Sequence, residues 1–131
     1  MNTDIELSIV IPVLNGEPFL QVSLSKLASW IKQRPIKIEV IFVNDGSSDK
    51  TKEILNNFHG FSSIQLVDFE RNLGKGAAIK AGLIKASGSY VVFTDADLPY
   101  GLDIFTAMLA KIQSNYSISL VYGSRSHKES I

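Results

Sequence analysis

Two aspartates separated by one alanine, Asp95-Ala96-Asp97, close the apolar run Tyr90-Val91-Val92-Phe93-Thr94. In an extended chain such a pair points the same way, with roughly 7 Å between Cβ atoms. At an effective dielectric of about 20 the repulsion is ~2 kcal/mol, and a divalent cation removes it. Hard oxygen donors select Mg²⁺ or Mn²⁺, which keep waters and complete their shells with substrate phosphates. The alternative is that one carboxylate caps the following helix and the other is solvated.

Arg71-Asn72-Leu73-Gly74-Lys75-Gly76 sets two glycines and a lysine at the start of a helical segment. Glycines let a ligand approach the backbone closely, and a helix N-terminus beside an ammonium favours phosphate. The alternative is a turn carrying a surface lysine. It is not a Walker loop, since no Ser or Thr follows Gly74-Lys75, and Ile79 stands where Gly-x-Gly-x-x-Gly needs its third glycine. Asp45, between Asn44 and Gly46, either accepts hydrogen bonds from a ribose or base or makes an Asx turn that caps its own loop. Asp49 reads as a helix N-terminal residue. Arg125 either clamps a carboxylate or phosphate bidentately or belongs to a solvated basic tail ending at Lys128. His59 and His127 stand apart from metal or nucleophile partners, and no serine has a histidine partner for a triad. Trp30 reads as packing.

These residues share a position: each polar cluster follows an apolar, β-branched run. The runs are Ser8–Ile11, Ile38–Val43, Ile64–Val67, Tyr90–Thr94 and Ser119–Tyr122, which predicts five short strands. Between them, Leu20, Leu24, Leu27 and Ile31 keep a helical period, as do Leu102, Phe105, Leu109 and Ile112. A shorter helix is predicted over Asp49–Phe58, capped by Ser48 or Asp49, and another over Lys75–Ala86 with a small-residue face at Ala78, Gly82 and Ala86. Alternating strands and helices predict an α/β fold with a mostly parallel sheet of about five strands. Near-continuous apolar runs predict strands covered on both faces. In such sheets ligands bind outside the carboxyl ends of the strands, where the acids and bases converge.

The chain has 131 residues, 13 basic against 13 acidic, and no cysteine. Zero net charge gives no general attraction to nucleic acid or an anionic membrane, and no nucleic-acid partner is expected. Cysteine chemistry is excluded. The acidic start, Met1 to Glu6, does not read as a signal peptide, and no apolar stretch approaches the ~18 residues of a membrane span.

Taken together, Ser8–Glu17, Val43–Asp49, Arg71–Gly76, Thr94–Leu98 and Gly123-Ser124-Arg125 occur in an order that closely resembles family 2 glycosyltransferases of the GT-A fold, most of all the dolichyl- or polyprenyl-phosphate mannose and glucose synthases. The resemblance covers nearly the whole chain. It implies that residues 1–131 form the Rossmann-like, nucleotide-sugar-binding part of such an enzyme. Pro12, Asn15 and Glu17 would lie against the nucleoside, Asp45 would contact the base, and Lys75 would sit near the nucleotide. Asp95 would face the ribose or metal, Asp97 would hold Mg²⁺ or Mn²⁺ on the diphosphate of a GDP- or UDP-linked sugar, and Arg125 would serve the donor and acceptor phosphates. The implied reaction is inverting transfer to an acceptor such as a polyprenyl or dolichyl phosphate. A cytoplasmic location, or one at the cytosolic face of a membrane, comes from the resemblance alone.

Two departures stand out. Pro99 replaces a metal-binding glutamine of the mannosyl-phosphate synthases, and those enzymes continue past Gly-Ser-Arg into an acceptor-binding half. The chain is therefore expected to bind donor without necessarily turning over, and uncovered apolar surface would favour a homo-oligomer. Five βα repeats also describe a phosphoacceptor receiver domain, with Asp68 as acceptor, although Asn15 and Glu17 do not supply its acidic pair.

Overall fold

The computed structural model describes residues 4–115 and 117. Residues up to Pro99 form one compact unit, and a second begins at Tyr100. The first contains β1 (Leu7–Val13), α1 (Leu20–Lys32), β2 (Ile38–Asn44), α2 (Thr51–Asn57), β3 (Ile64–Asp68), α3 (Lys75–Lys85) and β4 (Tyr90–Phe93). The second contributes α4 (Asp103–Gln113), with Asp103 in its first turn and Lys111 in its last. The fifth expected strand, 119–122, lies outside the described residues.

The four strands are parallel and ordered β3-β2-β1-β4. Leu7 is in register with Ile38 on one side and Tyr90 on the other. This is the order of a Rossmann-like half. It overturns the receiver-domain alternative, which needs β3 beside β1, whereas here β3 is an edge strand and Asp68 sits on its end.

Alternation along the strands divides the core into two layers. Val10, Ile41 and Val43 pack with Ala78 of α3, supported by Val67, Phe69, Ala81 and Ala86. A Cβ on Gly82 would stand 2.3 Å from Val10 Cγ1, so glycine sets the close approach of α3 to the sheet. Ile9, Ile11, Val40 and Phe42 point the other way and are fully buried, as are Leu20, Leu24 and Leu27 of α1. Among the described residues, both faces are covered only on the central strands β1 and β2. Val91 and Phe93, in register with Ser8 and Val10, are 42% and 53% exposed, and Leu66 of β3 is also exposed. The apolar runs look alike in sequence, but α3 packs on β1 and β2 and leaves that face of β4 open.

The amino-terminal end of the sheet is closed by a polar knot. Glu39, 3% exposed, accepts hydrogen bonds from Ser8 Oγ (2.6 Å), Ser87 N (2.7 Å), Ser87 Oγ (2.9 Å) and Gln65 Nε2 (3.3 Å). Gly88 N in turn donates to Ser8 Oγ at 2.8 Å. Burial alone pushes the Glu39 carboxyl up, but these hydrogen bonds outweigh it and hold the group below its ordinary value of 4.5.

Candidate functional site

The chain runs from β1 to β2 to β3 in one direction, then crosses back to place β4 on the other side of β1. The topological switch therefore lies between β1 and β4, and a crevice is expected outside their carboxyl ends. A cavity of about 500 Å³ opens there, lined by Pro12, Val13, Leu14, Phe19, Asp45, Asn72, Gly74, Lys75, Asp95, Ala96 and Asp97. Five of the predicted site residues share it: Pro12, Asp45, Lys75, Asp95 and Asp97.

Asp95 and Asp97 do not sit in extended chain as expected. Leu98 N donates to Asp95 O at 3.0 Å, closing a turn, and Leu98 takes φ +52°. The pair still reaches the cavity, with Asp97 exposed and Asp95 partly exposed. Lys75, the first residue of α3, donates from Nζ to Asp95 Oδ1, so a cation already faces one of the two acids. Neither acid caps α4, whose N-cap is Leu102 without a side-chain bond.

Asp45 is buried, and its carboxylate accepts from Leu73 N (2.7 Å) and Gly74 N (3.1 Å). It thus fixes the loop that delivers the start of α3 to the cavity. The expected cap on its own loop comes instead from Asn44, whose Oδ1 accepts from Ser47 N at 3.3 Å. Asn44 Nδ2 also donates to Asp68 Oδ1 at 3.0 Å. A carboxylate offers about four lone-pair positions, so Asp45 keeps acceptor capacity toward the cavity. Gly46, at φ +70°, lies so close to the same loop that a Cβ there would stand 2.2 Å from the Arg71 carbonyl carbon.

Asn15 and Glu17 are not among the lining residues. They join the β1–α1 loop to the β2–α2 loop. Asn15 N donates to Ser47 Oγ (2.9 Å), and Asn15 Oδ1 accepts from Ser48 N (2.8 Å) and Ser48 Oγ (3.3 Å). Glu17 N donates to Asp49 Oδ2 (3.0 Å), and Glu17 Oε1 accepts from Lys50 N (3.1 Å). Gly16 N completes the set with Thr51 Oγ1 at 2.8 Å. Asp49 Oδ1 also accepts from Thr51 N (2.9 Å) and Thr51 Oγ1 (2.5 Å). The helix α2 nevertheless starts at Thr51 with Lys50 as its N-cap and no side-chain cap bond, so the expected cap by Ser48 or Asp49 is not formed. Desolvation pushes the Asp49 carboxyl up, but the hydrogen bonds from Thr51 and Glu17 together outweigh it and hold the group below its ordinary value. Arg125 lies outside the described residues.

Sequence reasoning missed Thr51, Asn44, Phe19 and Asn72. Asn44 and Asn72 stand inside the polar clusters and were the detectable signal; Thr51 acts across 35 residues and leaves none locally.

No group of three or more His, Asp or Glu side chains converges among the described residues. Two carboxylates, Asp95 and Asp97, are a fitting partial donor set for Mg²⁺ or Mn²⁺, which take hard oxygens and leave positions for water and phosphate. They would not enclose such an ion without a ligand.

Strand order and cavity place the protein in the Rossmann-like α/β class with its site at the switch point. Residues 8–130 match the Glycosyl transferase family 2 model, and the chain belongs to that family. It is 36% identical over 132 residues to a dolichyl-phosphate beta-glucosyltransferase of Trichomonas vaginalis, covering 94% of this chain and 41% of that protein. Glucosyl-3-phosphoglycerate synthase from Mycobacterium tuberculosis, solved with Mn²⁺, UDP and glucosyl-3-phosphoglycerate, is similar at a TM-score of 0.60 and 28% identity, over 81% of this chain and 38% of that one. A Pyrobaculum calidifontis mannosyltransferase solved with GDP-Man and Mn²⁺ shares the fold, at a TM-score of 0.71 and 24% identity over 86% of this chain and 33% of that one. The chain thus spans about two fifths of the length of the curated relatives it matches. Among the described residues, no helix is long and apolar enough to cross a membrane.

Proposed function

We propose that this chain is the donor-binding part of a metal-dependent inverting hexosyltransferase that uses a nucleoside-diphosphate sugar. The observation that carries the reading is the meeting of Lys75, Asp95 and Asp97 with Pro12 and Asp45 in one cavity at the switch point. Pro12, Leu14 and Phe19 form an apolar wall suited to a base, and Asp45 keeps lone pairs for its N–H groups. Asp95 and Asp97 would hold Mg²⁺ or Mn²⁺. A bound cation supplies charge stabilisation to the departing nucleoside diphosphate. Lys75 adds a second positive charge on the diphosphate side, and the start of α3 is oriented to favour anions.

Arg125 is proposed to serve donor and acceptor phosphates. A polyprenyl or dolichyl phosphate acceptor is supported by the likeness to a dolichyl-phosphate beta-glucosyltransferase. Calorimetry with UDP- and GDP-sugars in Mn²⁺ tests the reading. Saturable, Mn²⁺-dependent binding to one of them is expected, weakened at least tenfold in Asp97→Asn. Absence of binding to either, or binding indifferent to Asp97→Asn, overturns it.

A further inference from the structure

Lys75 Nζ and Asp95 Oδ1 are hydrogen-bonded across twenty residues of sequence, and the two side chains are 59% and 45% exposed. Each is wanted elsewhere when the site is filled: the carboxylate by a cation, the ammonium by a diphosphate. We propose that this pair is a gate in which Lys75 holds Asp95 until nucleotide and divalent cation arrive together. Lys75 is then a positioning residue that couples the two ligands. The inference rests on the metal–diphosphate reading above and adds how the binding of the two ligands is coupled.

A cation alone must displace Lys75 from a donor oxygen and meets its positive charge. A nucleotide alone must draw Lys75 away from Asp95 and meets a freed negative charge. Both together break the pair once, and each ligand neutralises what the other exposes. Binding of either therefore favours the other, and linkage requires the same factor in both directions. Exposed ion pairs are worth little, so the pair's share of the coupling is about two- to fivefold.

The test titrates Mn²⁺ into the 131-residue chain, following free Mn²⁺ by electron paramagnetic resonance, without nucleotide and with saturating UDP or GDP. In Lys75→Met, Mn²⁺ alone binds about two- to fivefold more tightly, and the enhancement by nucleotide shrinks by at least that factor. Lys75→Arg, which keeps the pair, follows the wild type, as does Lys80→Met, which removes another exposed lysine of α3. In Asp95→Asn, UDP or GDP without metal binds more tightly by a similar factor, because Lys75 is released. If Lys75→Met leaves Mn²⁺ binding unchanged or weaker while nucleotide-dependent Mn²⁺ binding persists, the gate is overturned alone. If the wild type takes up no Mn²⁺ even with either nucleotide, the metal–diphosphate reading falls with it.

Discussion

At the amino-terminal end of the sheet Glu39 is 3% exposed and accepts from Ser8, Ser87 and Gln65, whereas at the carboxyl-terminal end Asp95 and Asp97 face a cavity and Asp97 is exposed. The same chemical group serves opposite ends. Where its lone pairs are met from within, a carboxylate ties strands together and tolerates burial. Where they are left toward solvent, it adds little to folding and stays available to a ligand. Asp45 lies between these cases, at the cavity yet buried and bonded to two amides.

Substitutions can break or sharpen that contrast. The largest effect is expected from Glu39→Ala, which orphans the donors of Ser8 and Ser87 and lowers the unfolding free energy by about 3 kcal/mol. Denaturant titration measures it, and the nucleotide affinity of the folded protein stays at the wild-type level. Because the folded carboxyl is held below 4.5, its contribution is full above that value and is lost as pH falls through the lower folded value. Stability therefore declines below about pH 4.5, and Glu39→Gln has a shallower acid limb than the wild type. An equally steep limb would assign the decline to other carboxyls.

Asp45→Ala should cost about 2 kcal/mol by freeing the Leu73 and Gly74 amides, and should also weaken nucleotide binding. Lost stability with unchanged affinity would make Asp45 an internal brace of the Glu39 kind. The smallest effect belongs to Asp97→Asn, whose thermal unfolding is expected within about 0.5 kcal/mol of the wild type. A larger loss would show that the carboxyl-terminal end is also held together by its acids.

Much of this organisation is legible in the sequence. The four described strands begin and end within a few residues of the β-branched runs, because Gly46 and the polar clusters punctuate them, although β1 runs through Pro12 to Val13 rather than ending at the proline. Pairing order settles which runs become edges, and no local pattern reports it, so the exposed Val91 and Phe93 look like their buried counterparts. The cavity residues Pro12, Lys75, Asp95 and Asp97 are legible by type and by position after a strand. Asn15 and Glu17 are legible only as polar: their partners lie 32 or 33 residues away and come near through the β1–β2 pairing. Glu39 carries a signal of its own, a charged residue inside an apolar strand, which reads as the knot only once Ser87 is beside it.

The six hydrogen bonds between the loops after β1 and β2 have a consequence for how the crevice adapts. The bonds clasp those two segments to each other, so the Pro12–Leu14 flank is expected to keep its shape if a ligand enters. Any accommodation is then expected on the opposite bank, where the turn at Asp95–Leu98 and Lys75 are joined by a bond between solvent-facing side chains.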